Sequence, residues 1–254
     1  MIGSMLDLEQ VAFYAVAFFI GNAIKIPGHS IAAISIPLIA QAWEKKDMNE
    51  IQNIYSKSSI NQLIFGGLFF VCVWINIDDI FFLLPEKFKV GKWIVFYIAL
   101  AQLFSMVAGV SGAIIVNSKY YRYDLYTSLI LVLLTISTNY FLILKFGIVG
   151  AAMATTISVL LFNFIRLILI KVKMNMHPFS LRTTYTVGIL FLIYLFVGYL
   201  FDGVANNLCI INVVINIMCK SAIVCVLFIP IVVVLKLSED ISAIFYDLQR
   251  WMSN

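Results

Sequence analysis

Long apolar runs, separated by short polar or charged stretches, dominate the chain and predict transmembrane helices. Each run approaches the roughly 20 residues that cross a bilayer as a helix. Residues 210–235 are apolar on every face, unlike the alternating strands of a transmembrane β-barrel. The sequence therefore predicts an all-α, polytopic bundle of transmembrane helices. The eight predicted spans lie near Leu8 to Ile26, Gly28 to Trp43, Ile60 to Ile77, Trp93 to Val116, Leu125 to Leu144, Ile148 to Ile170, Tyr185 to Phe201 and Cys209 to Leu235.

The second of these spans is short, and its boundary depends on Pro27 and Gly28. Residues 11–42 contain two basic side chains, Lys25 and His29. One straight helix of that length would extend about 48 Å at about 1.5 Å per residue, which exceeds the roughly 30 Å hydrocarbon core. Proline removes a helix hydrogen bond and glycine loosens the next turn. We therefore expect two tilted or short helices joined by a tight turn.

Composition agrees with a membrane protein and excludes a soluble enzyme. Of 254 residues 63% are hydrophobic, about 160 side chains, and only 12% are charged, whereas soluble domains are about a quarter charged. The net charge of +4 is scattered, so no nucleic-acid partner is expected. The cysteines form no CxxC pair, which favours reduced, packed thiols and no metal site. These four cysteines are Cys72, Cys209, Cys219 and Cys225.

Lysine and arginine are unevenly divided between the two sides of the predicted bundle. Eight spans place eleven on one side: Lys45, Lys46, Lys57, Lys119, Arg122, Arg166, Lys171, Lys173, Arg182, Lys236 and Arg250. The other side has five: Lys25, Lys87, Lys89, Lys92 and Lys145. Because cytoplasmic loops are enriched in these residues, we expect the richer side, with both termini, to be cytoplasmic. If the short second segment does not cross, the carboxyl terminus is still placed inside.

Two segments outside the predicted spans have amphipathic helical patterns. In residues 47–58, Asp47 and Glu50 have the spacing of a capping box, and the apolar side chains share one face. We expect this helix to lie on the cytoplasmic membrane surface. A second stripe follows Ser238 at the carboxyl end and fits either a helix packed on the bundle or a regulatory element. Its members are Ile241, Ile244, Phe245, Leu248 and Trp251.

Ionisable side chains at membrane depth are costly and therefore suggest functional sites. Lys220 lies inside an apolar run, where it either meets an anionic headgroup or cavity, or extends its stem towards the surface. Asn22, Lys25 and His29 flank the expected break, and non-helical backbone at this depth must line a cavity or be buried in protein. They are the first site candidates, although Lys25 alone also fits a loop at the outer interface.

Two further patterns leave alternatives open. Lys119 and Arg122 lie among tyrosines at a predicted cytoplasmic boundary. This mixture fits an ordinary aromatic belt, or cations that attract the phosphates of a lipid-linked substrate. Small residues recur at every fourth position, which fits static packing or the sliding surfaces of a transporter. They are Ser105, Gly109 and Ala113, and Gly150, Ala154 and Ser158.

The sequence does not favour catalysis. It contains no GxxxxGK[ST] loop for ATP hydrolysis. His29 and His177 are the two histidines, and neither shares a helical face with a carboxylate that would make it a general base. We expect no enzyme activity and no cofactor.

Several segments, taken in order, resemble bacterial polysaccharide-biosynthesis flippases of the multidrug/oligosaccharidyl-lipid/polysaccharide exporter superfamily. The resemblance covers roughly Leu6 to Leu200. It is carried by residues 34–47, 54–59, 117–122, 146–155 and 177–180, which include Ile34-Ser35-Ile36-Pro37, Asn117-Ser118-Lys119-Tyr120-Tyr121-Arg122 and His177-Pro178-Phe179-Ser180.

The resemblance implies two lobes of six helices, often followed by two more, around a cationic cavity that opens alternately to each membrane face. Such proteins move undecaprenyl-pyrophosphate-linked oligosaccharides across the inner membrane for polysaccharide or lipopolysaccharide synthesis, usually coupled to an ion gradient. The start of this chain resembles their seventh helix. We therefore expect a second lobe over residues 1–201 and a last transmembrane helix with an amphipathic helix over 202–254.

The resulting hypothesis is the carboxyl-terminal part of a two-lobe, alternating-access flippase in the bacterial inner membrane. Its expected partners are the lipid-linked oligosaccharide, membrane lipids, a missing amino-terminal lobe and polysaccharide glycosyltransferases. The substrate-binding candidates are Asn22, Lys25, His29, Gln41, Lys119 and Arg122. Two alternatives stay open. One is a cation-coupled exporter of small molecules, which should carry a carboxylate buried in the bundle, and the other is a non-transporting remnant or scaffold.

Overall fold

The computed structural model describes residues 7–201, 210–243 and 245, and within these ranges the chain is helical without a strand. Six helical segments there are long and apolar enough to cross a membrane, which confirms the polytopic helix bundle. The helices are α1 (Leu8–Asn22), α2 (Ile26–Glu44), α3 (Met48–Ile75), α4 (Ile77–Phe82), α5 (Lys92–Val107), α6 (Ser111–Val116), α7 (Arg122–Met174), α8 (Leu181–Phe201) and α9 (Ile210–Val234).

Helices α1 and α2 form one helical path from Leu8 to Glu44, so the tight turn expected at Pro27 and Gly28 is wrong. A 3₁₀ segment, Ala23–Lys25, joins them, and its flanking residues Asn22 and Ile26 keep right-handed helical torsion angles. Pro27 occupies the first turn of α2, where its missing N–H has no helical partner to lose. The helix is therefore wound more tightly over Ala23–Lys25, but the chain does not reverse direction. Residues 8–44 count as one candidate span.

The segment expected to lie on the membrane surface is instead the first part of α3. The capping at Asp47 is confirmed, because its side chain accepts hydrogen bonds from the backbone N–H groups of Asn49 (3.1 Å) and Glu50 (3.0 Å). The separate surface helix over residues 47–58 is wrong. Ile51 and Tyr55 are fully buried, because their apolar face packs against α2 and α6 instead of lipid.

Substitution of the α3 cap gives a small, specific prediction. Asp47→Ala should lower the free energy of unfolding by about 1 kcal/mol, the usual cost of losing an N-cap side chain. Asp7→Ala is the matched control, because Asp7 precedes α1 without any capping side-chain hydrogen bond. Thermal unfolding in detergent should separate the two variants, and equal melting temperatures would contradict the capping role.

The span expected from Trp93 to Val116 is interrupted between α5 and α6. Gly109 has φ +59, a left-handed conformation that side chains disfavour. The turn packs tightly on α3, where the Ser59 hydroxyl donates to the Val107 carbonyl at 2.6 Å. The small residues Ser105, Gly109 and Ala113 therefore do not form one continuous helical seam, because the helix stops between them.

Helix α7 is an antiparallel hairpin whose arms, residues 122–146 and 148–174, meet at Gly147. This glycine has φ 57 and ψ −136, which breaks the helix. The arms touch along their length: Thr138 and Ser158 share a hydrogen bond of 3.1 Å, and Gly150 lies directly against the Leu142 carbonyl. The two predicted spans in this region are confirmed, and Gly150, Ala154 and Ser158 belong to their packed seam.

Helix α3 lies at the centre of the bundle and contributes buried side chains to two of its apolar cores. Its first turns pack with α2, α6 and the end of α7. Its middle and end pack with α8 and α9, around Val197, Val224 and Phe228. A third core joins α1, α4 and α5 to the second arm of α7. The free thiols Cys72, Cys219 and Cys225 lie on α3 and α9, and Cys209 lies outside the described residues.

Residues 7–9 and 239–240 lie at opposite ends of the bundle, contrary to the expectation that both termini face the cytoplasm. Glu9 pairs with Lys87, which follows the end of α3 (3.0 Å). Glu239 pairs with Lys57, in the first half of α3 (3.4 Å). The difference arises because residues 8–44 make one candidate span, so the described residues contain seven candidate spans once the α7 hairpin is counted as two.

The carboxyl-terminal stripe begins at the basic end of the bundle. Ser238 starts a helical turn whose Ile241 packs against the core of α3, α8 and α9. Hydrogen bonds from Arg182 and Lys57 lower the pKa of Glu239 below its usual value, which ties this turn to α8 and α3. Leu248 and Trp251 lie outside the described residues, as does the side chain of Ile244.

Candidate functional site

Two adjoining cavities share Lys25 and His29 and form one polar cleft, called here the Lys25 cleft. The larger, about 520 Å³, lies beside the 3₁₀ segment and is also lined by Asn22 and Gln102. The smaller, about 340 Å³, continues between α2, α3, α5, α6 and the second arm of α7. The polar side chains that line this second cavity are Lys25, His29, Gln62, Ser105, Ser111, Asn163 and Arg166.

Helical spacing explains why these residues face the same space. Lys25, Gly28, His29, Ala32 and Ile36 all line the cleft, and their intervals of three and four place them on one helical face. Gly28 packs against Met106 of α5, where a side chain would lie within 3.1 Å of the methionine methyl. This close approach brings the polar face of α2 against α3 and α5.

Lys25 lies near the middle of the helical path from Leu8 to Glu44, so the loop position considered for it is wrong. An ammonium group at this depth is costly unless it is paired or hydrated. None of the ion pairs between described residues includes Lys25. The Lys25 ammonium therefore has no anionic partner within the part of the chain that the structure describes.

Arg166 supplies the second cation of the cleft. Its guanidinium lies 4.2 Å from the ring centroid of Phe162 and forms an ion pair with Asp124 of the opposite arm of α7. The arginine and aspartate side chains are 17% and 27% exposed. A partly desolvated guanidinium presents several N–H groups in a plane, the geometry that recognises phosphate or carboxylate.

Two buried donors of the cleft have no hydrogen-bond partner among the described residues. They are the side-chain nitrogen Nε2 of Gln62 and the Nε of Arg166. Gln62 as a whole is 4% exposed. Buried polar atoms normally have a partner, so these two atoms identify positions where a bound molecule or water would gain hydrogen bonds.

The electrostatic character of the Lys25 cleft is cationic. Among the described residues, no Asp or Glu lines either cavity. Two permanent cations, one histidine and several amide and hydroxyl groups face a space bordered by apolar helices. Because charge interactions are stronger away from bulk water, the arrangement favours an anionic group with oxygen acceptors, such as a phosphate.

The structure brings together only part of the predicted site. Asn22, Lys25 and His29 line the cleft. Gln41 is exposed on α2, and Lys119 and Arg122 are exposed at the basic end of the bundle. There Lys119 lies over the ring of Tyr120 (5.2 Å) and Arg122 over that of Tyr121 (5.9 Å), and neither is among the residues that line the two cavities.

Sequence analysis missed Arg166, Gln62, Gln102 and Asn163. Arg166 was assigned to the basic side by topology, although it lies inside the predicted span from Ile148 to Ile170. The principle that singled out Lys25, an ionisable group within an apolar run, applies equally to Arg166. The amides carried no comparable signal, because polar but uncharged residues also occur at ordinary helix contacts.

Lys220 does not reach the surface and does not line the Lys25 cleft. Its ammonium lies 2.5 Å from the carboxylate of Asp79, and both side chains are mostly buried, at 14% and 17% exposure. Beside it, Asn76 donates to the Ser221 hydroxyl at 3.0 Å. These contacts fasten α9 to the end of α3, and Lys220 borders a separate polar cavity that Asp78 and Lys92 also line.

The helical bundle and its cationic cleft have the features of a polytopic membrane transporter. The sequence matches the MatE family model over residues 1–141, and the chain belongs to the MatE family. Members of this family are membrane transporters, in agreement with the resemblance noted from the sequence.

One curated relative is the "Probable low-salt glycan biosynthesis flippase Agl15" of Haloferax volcanii, which is 23% identical over 159 residues. The alignment covers 62% of this chain and 34% of that protein, so the chain spans about a third of the relative's length. No solved structure matches the chain.

Proposed function

We propose that the chain forms one lobe of a flippase for lipid-linked oligosaccharides, and that the Lys25 cleft binds the pyrophosphate group of this substrate. The observation that carries the proposal is Lys25, which lies at the middle of a helical path long enough to cross a membrane, forms no ion pair with a described residue and lines the same cavity as Arg166. Membership of the MatE family and similarity to a named glycan flippase support the substrate class.

The chemistry of the cleft suits a pyrophosphate better than a neutral sugar. Lys25 and Arg166 supply charge, while Gln62 and Asn22 supply hydrogen-bond donors. Hydrogen bonds between charged groups and phosphate oxygens are roughly twice as strong as neutral ones. Lys119 and Arg122, exposed at the basic end, are assigned the initial attraction of the anionic headgroup.

The proposed topology places the basic end of the bundle in the cytoplasm of a cell with an inner or plasma membrane. Lys45, Lys57, Lys171 and Arg182 lie towards this end, whereas Lys87 lies at the other. The positive-inside tendency supports this orientation. The second lobe needed for alternating access is the proposed partner of the chain, because the relative aligns over only a third of its length.

The rival function, a cation-coupled exporter, requires a buried carboxylate that is free to bind the coupling ion. Asp79, Asp124 and Asp240 are the partly buried candidates among the described residues. They are held in ion pairs with Lys220, Arg166 and Lys57, respectively. The cationic cleft and the absence of carboxylates from its described walls favour the anionic substrate.

Removal of the central cation tests the site. Lys25→Gln should weaken binding of inorganic pyrophosphate about tenfold or more, because hydrogen bonds to charged groups contribute roughly 1.5–3 kcal/mol. The measurement is isothermal titration of the purified chain in lipid nanodiscs. Lys87→Gln is the matched control, because this lysine is exposed in a surface ion pair with Glu9. Equal pyrophosphate affinity of the Lys25→Gln variant and wild type would refute the site.

Transport is tested separately in liposomes with a fluorescent, pyrophosphate-linked glycolipid as the probe. The chain alone should not move the probe between leaflets, and co-reconstitution with the remaining part of a two-lobe flippase should restore movement. Full activity of the monomeric chain alone would exclude the two-lobe requirement.

A further inference from the structure

Arg166 lies between the Lys25 cleft and a carboxylate, and this position is the basis of the inference. It lines the cleft together with Lys25 and at the same time pairs with Asp124. The two residues belong to different arms of α7, so the ion pair closes the hairpin at the end opposite Gly147.

We propose that Asp124 competes with the anionic ligand for Arg166, so that ligand binding transfers the guanidinium from the carboxylate to a ligand phosphate. This inference rests on the proposed function, because it assumes a phosphate in the cleft. Asp124 is then a positioning residue that limits affinity and permits release.

The charges support competition over cooperation. While Asp124 holds Arg166, the net charge of that pair is zero, and among the described residues Lys25 is the remaining permanent cation that lines the cleft. A phosphate that approaches Arg166 also meets the negative charge of Asp124, and like charges repel strongly where water is partly excluded. Both effects weaken anion binding in the native chain.

The unused hydrogen-bonding capacity of Arg166 supports the same assignment. Its Nη2 atom donates to Asp124, whereas its buried Nε has no partner among the described residues. Paired N–H groups of a guanidinium bind phosphate in a bidentate manner. The Asp124 carboxylate accepts from Nη2 and leaves Nε without a partner among the described residues. A phosphate can accept from both nitrogens at once.

Transfer of Arg166 also changes the packing of the hairpin. Contacts between its two arms include Leu142 with Gly150 and Thr138 with Ser158, which lie nearer the turn than the pair of Asp124 and Arg166. Loss of this ion pair weakens the packing of the arms at the basic end, where the substrate is proposed to enter, so binding is coupled to local loosening there.

The test measures pyrophosphate affinity in variants of the full chain in nanodiscs. Asp124→Asn should bind pyrophosphate about tenfold more tightly, since the released charge-assisted hydrogen bond is of the 1.5–3 kcal/mol class. Asp124→Ser should show the same gain and guards against a folding defect of one variant. Asp78→Asn is the matched control, because it removes an ion-paired carboxylate beside Lys92, remote from the cleft, and it should leave affinity unchanged.

Combination with Arg166→Gln distinguishes release of the arginine from a general charge effect. In that background, Asp124→Asn should give a clearly smaller gain than the tenfold gain expected in the wild-type background, because only the repulsion between the carboxylate and the ligand is then removed. A full tenfold gain there overturns the inference, and so does unchanged or weaker binding by both Asp124 variants. If Lys25→Gln still weakens binding in that case, the proposed function stands. Failure of both wild type and Asp124→Asn to bind pyrophosphate overturns the proposed function and the inference together.

Discussion

Replacement of Lys220 by methionine should destabilise the protein by about 3–5 kcal/mol, the usual cost of leaving one member of a buried ion pair without its partner. The Asp79 carboxylate is 17% exposed and lies 2.5 Å from the lysine ammonium. Without that cation, it would lie in the interface of α9 with α3 and α4, with little water to solvate it. Unfolding with a denaturing detergent in mixed micelles measures the loss.

The double variant and a surface pair provide the controls. Asp79→Asn combined with Lys220→Met should recover most of the stability, because a neutral pair avoids the uncompensated charge. Lys92→Met should cost about 1 kcal/mol or less, since its partner Asp78 is 78% exposed and exposed pairs contribute little. A Lys220→Met variant as stable as Lys92→Met would show that the ion pair of Lys220 with Asp79 does not stabilise the fold.

Replacement of Gly150 by alanine should destabilise the α7 hairpin by about 3 kcal/mol, at the upper end of the range for overpacking. The new methyl carbon would lie 2.0 Å from the Leu142 carbonyl oxygen and 2.5 Å from its carbon. Both atoms belong to the backbone of the facing arm, so no side-chain rotation relieves the clash. The arms must separate, which also disturbs the hydrogen bond between Thr138 and Ser158.

Gly188→Ala in α8 is the matched control, because its new methyl carbon meets no atom of the described residues within 4 Å. There we expect a gain of up to about 1 kcal/mol from the higher helix propensity of alanine. Size-exclusion chromatography before and after heating in detergent compares the two variants. Equal survival after heating would show that the arms of α7 tolerate separation.

Most of the helices could be predicted from the sequence, because long apolar runs indicate the segments that contact lipid or the core of the bundle. The α7 arms are the clearest case, since charged Lys145 and Gly147 separate two apolar runs. Residues 8–44 show the limit of this reasoning. Proline and glycine indicate a break, but proline in the first turn of a helix is compatible with continuation, and only packing against α5 distinguishes the two.

Residues of the site could be predicted where a charged side chain lies within an apolar run. They could not be predicted where their role depends on a contact between distant parts of the chain. Lys25 and His29 share a helical face that the sequence displays. Arg166 and Asp124 are 42 residues apart, and no spacing rule pairs them. Their contact requires the reversal at Gly147, which places the start of one arm beside the end of the other.

The reversal at Gly147 depends on chirality and not on lack of space. A methyl carbon built there meets no described atom within 4 Å, yet φ 57 and ψ −136 mirror the extended conformation that L-residues prefer. A D-residue favours these torsion angles for the same reason that an L-residue avoids them. The position therefore selects the handedness of its residue, and glycine is the genetically encoded residue that has none.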